Sequence, residues 1–570
     1  MDEDLRERVE REAETAALFN ALKHDGDAQV GAIMGPLMGA NPEFREHGDE
    51  MPEVIAPVLQ EVDALGTAEK RERLADLAPD RLEELDAEDE DDARTLSSLP
   101  SVEDYDEVRM RVAPNPNGPW HLGHARMAAV TGRYKERYDG WMLCRFDDTD
   151  PETIRPDLDA YGAILEAIEY LGFSPDEVVR ASDRLESYYD HARNLIAAGG
   201  AYTCSCPGEE FSDLKNNGTA CPHRDKDPAT TREEFDAMLT GDYGAGEMVL
   251  RVLTDIEHKN PALRDWVAFR MVDTPHPREA AAEYRCWPML DFQSGIDAYL
   301  FDVTHIIRGI DLQDSAKRQR FVYDYFDWDY PEVLHWGHVQ VDAYDVAMST
   351  STIKAKIEAG DLDGWDDPRA PTIASLRRRG IRGDAIVDAM AELGTSTSNV
   401  QLAMSSVHAK NRELIDDGAD RRFFVRNGVE KTLLGGPETA EPPLHPDQER
   451  GVREIPVDGA VRVEPDDVPP NGRRVWLKGL GPVRHTRDTF EFTGEDIEIV
   501  REGGVDVVHW VPADACVPLR LRTMDGTETG HAEPGVVAYG ADDVVQFERV
   551  GFTRIDRVTD GEVVAYLAHP

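Results

Sequence analysis

The apolar residues of this chain follow three different patterns, each in its own stretch. Residues 1 to about 98 have the period of amphipathic helices, with many acids and few aromatic residues. From 105 to about 198, short apolar strands alternate with helices, which is typical of a parallel sheet. From about 423 onward, short valine-rich runs are separated by Gly, Pro and Asp, which predicts an all-β barrel region.

Further stretches interrupt this order. Residues 200 to about 285 break the alternation with a cluster of cysteines, residues 372 to about 415 are helical in pattern, and residues 92–101 are typical of a linker. In the α/β part we predict strands at 108–112, 141–146 and 303–307 and helices at 125–138, 158–171, 186–198 and 312–326. Valine-rich strands are predicted at 461–463, 474–478, 497–500, 505–510 and 517–521.

The composition fits a multidomain globular protein. A chain of 570 residues is long enough for roughly three to five domains, each with its own core. It has no apolar run of roughly 18 residues, so we expect no membrane span, and its first residues lack the apolar run of a signal peptide. Six cysteines are too few for a disulfide scaffold in a chain of this length and favour a reducing, cytoplasmic setting.

The net charge of −51 changes the expected environment. Only 12 of the 62 basic residues are lysine, and the acids are spread over the whole chain. Hydrophobic residues make up 41% and are clearly periodic, which excludes a disordered acidic protein. A strongly basic partner and adaptation to molar salt both remain, and the even spread favours salt adaptation. At about 1 M salt the Debye length is about 3 Å, so the net charge does not prevent local contacts with nucleic acid.

The most informative motif is HLGH at 121–124, which lies between a turn and a helix. The Pro- and Asn-rich turn at 114–120 precedes it, and a strand at 109–113 precedes the turn. The free N–H groups of a helix start bind phosphate, and a glycine lets a nucleotide approach the backbone closely. The motif therefore predicts a nucleotide-phosphate site, although alone it is also compatible with a loop that carries two surface histidines.

Charged residues follow two predicted strands, at positions where ligands bind in open α/β sheets. Asp147, Asp148 and Asp150 come after the strand at 141–146. One of these carboxylates can hold a ligand ammonium; the alternative is an Asp-Pro turn that caps the next helix. Arg308 follows the strand at 303–307, where a guanidinium can pair with a ligand carboxylate or with one of the many surface acids.

Two further clusters carry candidate chemistry. Cys204, Cys206, Cys221 and His223 are four soft ligands, which suit a closed, structural Zn²⁺ site; unrelated buried thiols are the alternative. The Ser- and Thr-rich stretch 349–351 precedes a short helical pattern and predicts either a phosphate contact or an ordinary helix cap. We expect the other cysteines to be core or boundary residues: Cys144, Cys286 and Cys516.

Together these motifs resemble class I aminoacyl-tRNA synthetases, specifically the glutamyl and glutaminyl subgroup of archaeal and eukaryotic type. RVAPNPNGPWHLGHAR at 111–126 resembles the first signature of the family. RFDDTDP at 145–151, DDPRAPT at 366–372 and LRRRG at 376–380 resemble features of the subgroup. The resemblance covers residues 105–570 in order.

The resemblance implies a multidomain α/β plus β architecture. Its centre is a class I Rossmann-type catalytic domain in two halves, at 101–198 and 289–352. The implied neighbours are an acidic helical N-terminal region at 1–100, an inserted acceptor-end domain with the zinc site at 199–288, a helical stem-contact region at 353–418 and a β-barrel anticodon-binding region at 419–570.

The resemblance also implies a two-step reaction. Glutamate reacts with ATP, accompanied by Mg²⁺, to give glutamyl-adenylate and pyrophosphate, and the glutamyl group then passes to the terminal adenosine of tRNA. No protein nucleophile takes part, so rate comes from alignment and charge stabilisation. The implied partners are L-glutamate and tRNA(Glu), with tRNA(Gln) and an amidotransferase as further candidates, and no membrane.

The residue roles of the family are transferred to the matching positions. The catalytic pair is His121 and His124, which would hydrogen-bond the phosphates and ribose, with Gly123 under the adenine. Asp147 would hold the ammonium of the amino acid, and Arg111 and Arg308 would contact its carboxylates. The implied ATP-binding set is Pro114, Asn115, Asn117, Gly118, His121, Gly123, His124, Ser349, Thr350 and Ser351.

Two positions depart from the family pattern. The stretch AMSTS at 347–351 replaces a signature that usually holds two lysines, which leaves Lys354, Lys356 or local hydroxyl and backbone donors to contact the triphosphate. Leu290 stands where the family commonly has a substrate-contacting tyrosine.

Arg308 distinguishes the two amino acids of the subgroup, since glutaminyl enzymes lack an arginine at this place. A second guanidinium favours an anionic side chain over an amide, because leaving it buried and unpaired would cost several kcal/mol. Glutamate–tRNA ligation is therefore the predicted activity. The alternatives are a glutaminyl-tRNA synthetase and, because of the missing lysines, a catalytically inactive tRNA-binding paralogue.

Overall fold

The structure is a computed structural model in which the chain divides into two compact units, Met1–Ser97 and Ser98–Pro570. It describes residues 3–24, 33–34, 37–38, 44, 47–48, 50–63, 65–79, 81–82, 96–457, 459–494, 505–559 and 561–570. None of the helices in these ranges is long and apolar enough to span a bilayer.

The described residues of the first unit are mostly helical, as the sequence pattern predicts. They include the helices α1 (Glu3–His24), α2 (Met51–Asp63) and α3 (Thr67–Leu77). Val9, Ala13 and Ala17 of α1 recur every four residues, so they lie on one face, and they join one buried cluster with Ile55 and Leu59 of α2. Residues 92–95, the start of the predicted linker, lie outside the described residues.

The second unit begins with alternating strands and helices. In chain order they are β1 (Arg109–Val112), α4 (Leu122–Arg137), β2 (Trp141–Phe146), α5 (Ala160–Tyr170), β3 (Glu177–Arg180), α6 (Leu185–Ala197), β4 (Ala201–Cys204), α7 (Gly208–Asn216), α8 (Pro228–Thr240), β5 (Val249–Val252), β6 (Val267–Met271), β7 (Cys286–Pro288), α9 (Leu290–Leu300), β8 (His305–Gly309), α10 (Gln313–Phe326) and β9 (Glu332–Trp336).

These strands form two sheets of different kinds. Five of them make a parallel sheet in the order β3-β2-β1-β8-β9, which confirms the predicted Rossmann-type core. The chain passes from β1 toward β3 on one side and from β8 to β9 on the other, so the order reverses between β1 and β8. Ligands of such sheets bind at the carboxyl ends of the strands beside this reversal. The other four strands make an antiparallel sheet, β4-β5-β6-β7, which is inserted between β3 and β8.

A mostly helical stretch follows the parallel sheet. Its elements are β10 (Val339–Val341), α11 (Thr350–Glu358), α12 (Ile373–Arg379), α13 (Gly383–Ala391), β11 (Val400–Leu402) and α14 (Met404–Ile415). The helical pattern of 372–415 predicts the three helices α12 to α14 but not β11. That strand is only three residues long and is defined by its parallel pairing with β10, which precedes the helices.

The described part of the chain from residue 420 onward is mostly β structure, as the valine-rich pattern predicts. Its strands are β12 (Asp420–Arg422), β13 (Phe424–Arg426), β14 (Val429–Leu434), β15 (Thr439–Ala440), β16 (Ile455–Pro456), β17 (Ala460–Val463), β18 (Arg474–Leu477), β19 (Gly481–Thr486), β20 (Thr489–Phe492), β21 (Val507–Val508), β22 (Val511–Pro512), β23 (Val517–Thr523), β24 (Gly526–Ala532), β25 (Val544–Phe547), β26 (Gly551–Val558) and β27 (Val563–His569). Most of them form two seven-stranded sheets, each with its own apolar core. The strand predicted at 497–500 lies outside the described residues.

Candidate functional site

Three of the predicted amino-acid contacts lie around one small cavity. Arg111 is in β1, Asp147 follows β2 and Arg308 is near the end of β8, so all three are at the carboxyl ends of adjacent strands. They line a common cavity of about 200 Å³, together with Gly123 and His124 of the HLGH motif. The topology thus brings the two halves of the predicted site together, although nearly 200 residues separate them in sequence.

The two arginines of this cavity form no ion pair with any described residue. Arg111 and Arg308 are 9% and 7% exposed, and Nε of each is buried without a hydrogen-bond partner among the described residues. Burial, and next the like charges of Arg308 and Arg145, lower the pKa of Arg111 to about 9. Because each guanidinium repels the other, an anion bound between them would be strongly stabilised.

Asp147 supplies the negative charge beside this cavity. Its Oδ1 accepts hydrogen bonds from Arg145 Nη1 and, at 3.4 Å, from Gln293 Nε2, while no described group bonds its Oδ2. Arg145 is itself fixed, since its Nε donates to buried Asp297 at 2.5 Å. The Asp147 backbone N–H donates to the Pro114 carbonyl at 2.9 Å. These contacts hold one carboxylate oxygen ready for a cation.

The other two aspartates of this stretch have structural partners. Asp148 is fully buried and accepts hydrogen bonds from the Ser182 N–H at 2.8 Å, the Ser182 hydroxyl at 2.7 Å and the Tyr161 hydroxyl at 2.7 Å. Asp150 accepts from the backbone N–H groups of residues 152 and 153, so the alternative of an Asp-Pro turn holds for this residue. The local sequence pattern does not separate the three carboxylates, whereas their contacts differ.

The HLGH motif begins α4 and is held by a stretch far along the chain. His121 is the N-cap residue, and the rings of His121 and His124 stack with their centroids 3.8 Å apart. The N–H of Leu122 donates to the Pro371 carbonyl at 2.8 Å, within the DDPRAPT motif at 366–372. This second motif therefore fixes the first, and Nδ1 of each histidine is buried without a described partner.

We expect these two histidines to make folding stability depend on pH below about 6.5. Burial lowers the pKa of His121 to about 4 and that of His124 to about 3, whereas both titrate near 6.5 in an unfolded chain. The unfolded state then binds more protons, so their contribution is complete above about pH 6.5 and is lost as the pH falls toward about 4. Thermal unfolding at constant molar salt should show a shallower decrease of Tm with falling pH for a His121→Gln/His124→Gln variant than for wild type. Equal slopes of Tm against pH for the variant and wild type would contradict this prediction.

Two glycines of the predicted ATP site permit close contacts. A Cβ on Gly118 would lie 2.5 Å from Thr350 Cγ2, so the Asn-Pro turn packs directly against the Ser/Thr-rich stretch. A Cβ on Gly123 would lie 3.1 Å from the ring of His121 and 3.9 Å from Met348 Cε. The stretch that lacks the usual lysines therefore still lies beside both predicted nucleotide-binding motifs.

The hydroxyl groups of that stretch are arranged at the start of a helix. Ser349 is the N-cap residue of α11, but its side chain makes no capping hydrogen bond; its Oγ lies 3.1 Å from Ser351 Oγ instead. Thr350 is buried against Gly118. In the turn opposite, Oδ1 of Asn115 is buried without a described partner. Pro114 and Asn117 belong to the same turn.

The two nearby lysines differ in position. Lys354 Nζ lies 3.4 Å from Asp157, whose backbone N–H donates to the Pro116 carbonyl at 2.7 Å. Lys356 lies 4.0 Å from Asp361 instead. Lys354 is thus the lysine held beside the Asn-Pro turn.

The predicted soft ligands form one cluster at the end of β4. Cys204 Sγ is 3.9 Å from Cys221 Sγ and 3.8 Å from His223 Nδ1, and Cys206 Sγ is 3.3 Å from the same nitrogen. The four ligand atoms all lie within 4.8 Å of one another. The other ring nitrogen, Nε2, is 3.1 Å from Ser205 Oγ.

The three remaining cysteines do not belong to this cluster of ligands. Cys144 and Cys286 are buried, and Cys516 is half-buried. Burial raises the pKa of Cys144 to about 12 and also raises that of Cys286, so both stay protonated thiols. This agrees with their predicted place in the core.

Sequence reasoning missed a set of neutral polar residues around the cavity. Gln293 and Ser294 come from α9, Gln319 comes from α10, and Tyr330 precedes β9. A signal existed in α9, whose polar residues Gln293, Ser294 and Asp297 recur at three- and four-residue spacing within an apolar helix. All of these side chains are buried except that of Tyr330, which is half-buried, so burial rather than type distinguishes them.

Comparison with known proteins gives a consistent result. The model of the catalytic domain of tRNA synthetases class I (E and Q) matches residues 107–417, and two anti-codon binding domain models of the same group match 419–502 and 507–556. A glutamate–tRNA ligase of Natronomonas pharaonis is 74% identical, and one of Haloarcula marismortui is 70% identical; each alignment covers 100% of both chains. A crystal structure of a glutamate tRNA ligase from Elizabethkingia meningosepticum in complex with its amino acid has a TM-score of 0.37 and 19% identity, and the match covers 54% of this chain and 70% of that one.

Proposed function

The chain belongs to the class I tRNA synthetases for glutamate and glutamine, and we propose that it ligates L-glutamate to tRNA(Glu) by way of glutamyl-adenylate. The observation that carries this proposal is the charge pattern of the cavity. The cavity of about 200 Å³ is lined by two guanidinium groups that form no ion pair with a described residue and by one carboxylate with an oxygen that no described group bonds. Glutamate has two carboxylates and one ammonium, which is the complementary set.

The first step needs the glutamate α-carboxylate and the α-phosphate of ATP in contact. A carboxylate oxygen bonds to the phosphorus, and the bond from phosphorus to the pyrophosphate oxygen breaks. His124 lines the cavity of the arginines, so the HLGH motif lies where these two groups would meet. Its low pKa keeps the imidazole neutral, so it serves as a hydrogen-bond donor to the phosphate rather than as a cation.

ATP is the co-substrate, and Mg²⁺ accompanies it to neutralise the leaving pyrophosphate. On the protein side, we assign the triphosphate to the Asn-Pro turn, the hydroxyl groups of 349–351 and Lys354. This assignment explains how the site works without the two family lysines, because Lys354 is held beside the turn by Asp157.

In the second step, a ribose hydroxyl of the terminal adenosine attacks the glutamyl carbonyl, and AMP leaves. We assign the acceptor end to the inserted domain at 199–288, the tRNA stem to 353–418 and the anticodon to 419–570, where two anti-codon binding domains match. tRNA(Gln) is a second candidate, and an amidotransferase would then convert its glutamyl group. Charging of purified tRNA(Gln) decides this. The proposed compartment is the cytoplasm, where six free cysteines remain reduced.

We further propose a structural Zn²⁺ in the cysteine cluster. Tetrahedral zinc with Zn–S bonds of about 2.3 Å separates its sulfur ligands by about 3.8 Å, close to the 3.9 Å between the sulfurs of Cys204 and Cys221. His223 presents Nδ1 to the sulfurs and Nε2 to Ser205, which would fix its ring as an outer hydrogen bond does in zinc sites. Four protein ligands close the site, so the metal would stabilise the inserted domain rather than take part in the reaction.

We expect purified protein to contain about one zinc per chain and a Cys221→Ser variant to contain almost none. The variant should also have a lower Tm, because metal binding to a structural site contributes folding free energy. Elemental analysis and thermal unfolding measure both effects. Cys516→Ser is the matched control, since that thiol lies in the β region and should leave both values unchanged. A metal ratio near zero in wild type would refute the site.

Pyrophosphate exchange in molar salt, with tRNA present, tests the ligase proposal. Exchange that depends on glutamate and not on glutamine supports it. Exchange with glutamine alone identifies a glutaminyl enzyme, and exchange with neither amino acid, beside intact tRNA binding, identifies an inactive tRNA-binding paralogue.

A further inference from the structure

Arg308 is held by neutral hydrogen-bond acceptors. Its Nη2 donates to Gln319 Oε1 at 3.2 Å and to the Tyr330 hydroxyl at 3.1 Å. None of the described carboxylates forms an ion pair with it, in a chain with 113 acidic residues. The guanidinium of Arg111, in contrast, has no described hydrogen-bond partner. The two arginines of the cavity therefore differ, because hydrogen bonds to described residues orient the guanidinium of Arg308 only.

The orientation of the Gln319 amide follows from its contacts. Oε1 accepts from Arg308 and, at 2.5 Å, from the Tyr330 hydroxyl, while Nε2 donates to Ser294 Oγ at 2.7 Å. A flipped amide would place N–H groups against the guanidinium, donor against donor. Gln319 is 1% exposed, so water cannot compensate. Ser294 lines the cavity, and the network therefore runs from the cavity wall to Arg308.

An amide at position 319 has a consequence that a carboxylate would not have. A glutamate there would form a buried ion pair with Arg308 and cancel its charge before any substrate arrived. The amide oxygen satisfies Nη2 but leaves the positive charge uncompensated, and Nε of Arg308 remains buried and unpartnered. A bound carboxylate then receives a guanidinium that is both oriented and fully charged.

We propose that Gln319, supported by Tyr330, is a positioning residue that aims Arg308 at the side-chain carboxylate of the substrate and thereby sets the preference for glutamate over glutamine. This inference rests on the proposed function. Gln319 acts through Arg308, so its replacement should change amino-acid affinity and selectivity and leave ATP affinity unchanged.

The direct test is Gln319→Glu, with Gln313→Glu as the matched control. Gln313 is exposed at the start of the same helix, so the control adds the same charge without touching Arg308. For Gln319→Glu we expect the KM for glutamate to rise about 100-fold, as expected when a buried charge partner is lost, with kcat within about threefold. The ratio of kcat/KM for glutamate over glutamine should fall by a similar factor. The control should match wild type in all of these values.

Two further variants separate positioning from folding. Gln319→Met keeps the volume and leaves Arg308 charged but less well held, so the KM for glutamate should rise about tenfold and the direction of preference should persist. Tyr330→Phe should cause a smaller rise of the same kind. Equal losses for both amino acids, or a selectivity ratio in Gln319→Glu like that of the control, would overturn the inference. Absence of glutamate-dependent exchange in wild type would instead defeat the proposed function.

Discussion

Replacing Arg308 by cysteine is expected to lower kcat/KM for glutamate by about 10³-fold, a larger loss than we expect from any other single substitution in the cavity. Loss of one partner of a buried charge pair costs about 2–5 kcal/mol. Without the guanidinium, the side-chain carboxylate of the substrate would be buried and unpaired. Arg111 alone cannot serve both carboxylates of the substrate. The loss should be expressed mainly in KM, because the carboxylate concerned is remote from the reacting atoms.

Glutamine should respond differently to the same substitution. Its side-chain amide carries no charge to pair with Arg308, so its kcat/KM should stay the same or rise, and preference for glutamate should narrow accordingly. Pyrophosphate exchange with each amino acid measures both quantities. Arg11→Cys is a suitable control, since this arginine is exposed on α1 in the other unit. An unchanged preference in Arg308→Cys would remove the role that we assign to this residue.

The second large effect is expected for His124→Ala, which should lower kcat by about 10²- to 10³-fold. This is the usual cost of removing one donor that stabilises developing charge. The pKa of His124 is about 3, so the imidazole that acts at neutral pH is uncharged. A neutral donor should therefore replace it in part, and we expect His124→Asn to retain more activity than His124→Ala.

This comparison distinguishes a neutral donor from a cation. If the histidine worked as imidazolium, His124→Lys would be the better replacement and the activity of wild type would rise as pH falls. Single-turnover formation of adenylate, measured from about pH 6 to 8.5, reports the chemical step without product release. An Asn variant no better than the Ala variant would contradict the neutral-donor mechanism.

Much of this site could be predicted from sequence because its residues belong to short local patterns. HLGH, the aspartate-rich stretch after β2 and the Cys/His cluster all combine a turn or strand end with particular side chains. The local pattern alone does not choose among Asp147, Asp148 and Asp150, since the contacts of each carboxylate depend on which neighbours reach it; only the family resemblance assigns Asp147. Asp148 is occupied by Ser182 and Tyr161, and these come from other elements.

The features that the sequence did not predict depend on contacts between residues of different elements. β11 is defined by its pairing with β10, and Gln319 contacts Arg308, which belongs to a different element. In both cases the local sequence carries no distinctive signal, and the feature depends on a contact with a residue that is distant in sequence or belongs to another element.

Salt acts differently on the buried arginines Arg111 and Arg308 and on the exposed charges of this protein. Salt at molar concentration screens exposed charges within about 3 Å, whereas charges inside a small cavity are screened much less. We therefore expect molar salt to weaken contacts between exposed charges, while the contacts of the two cavity arginines with a bound carboxylate persist.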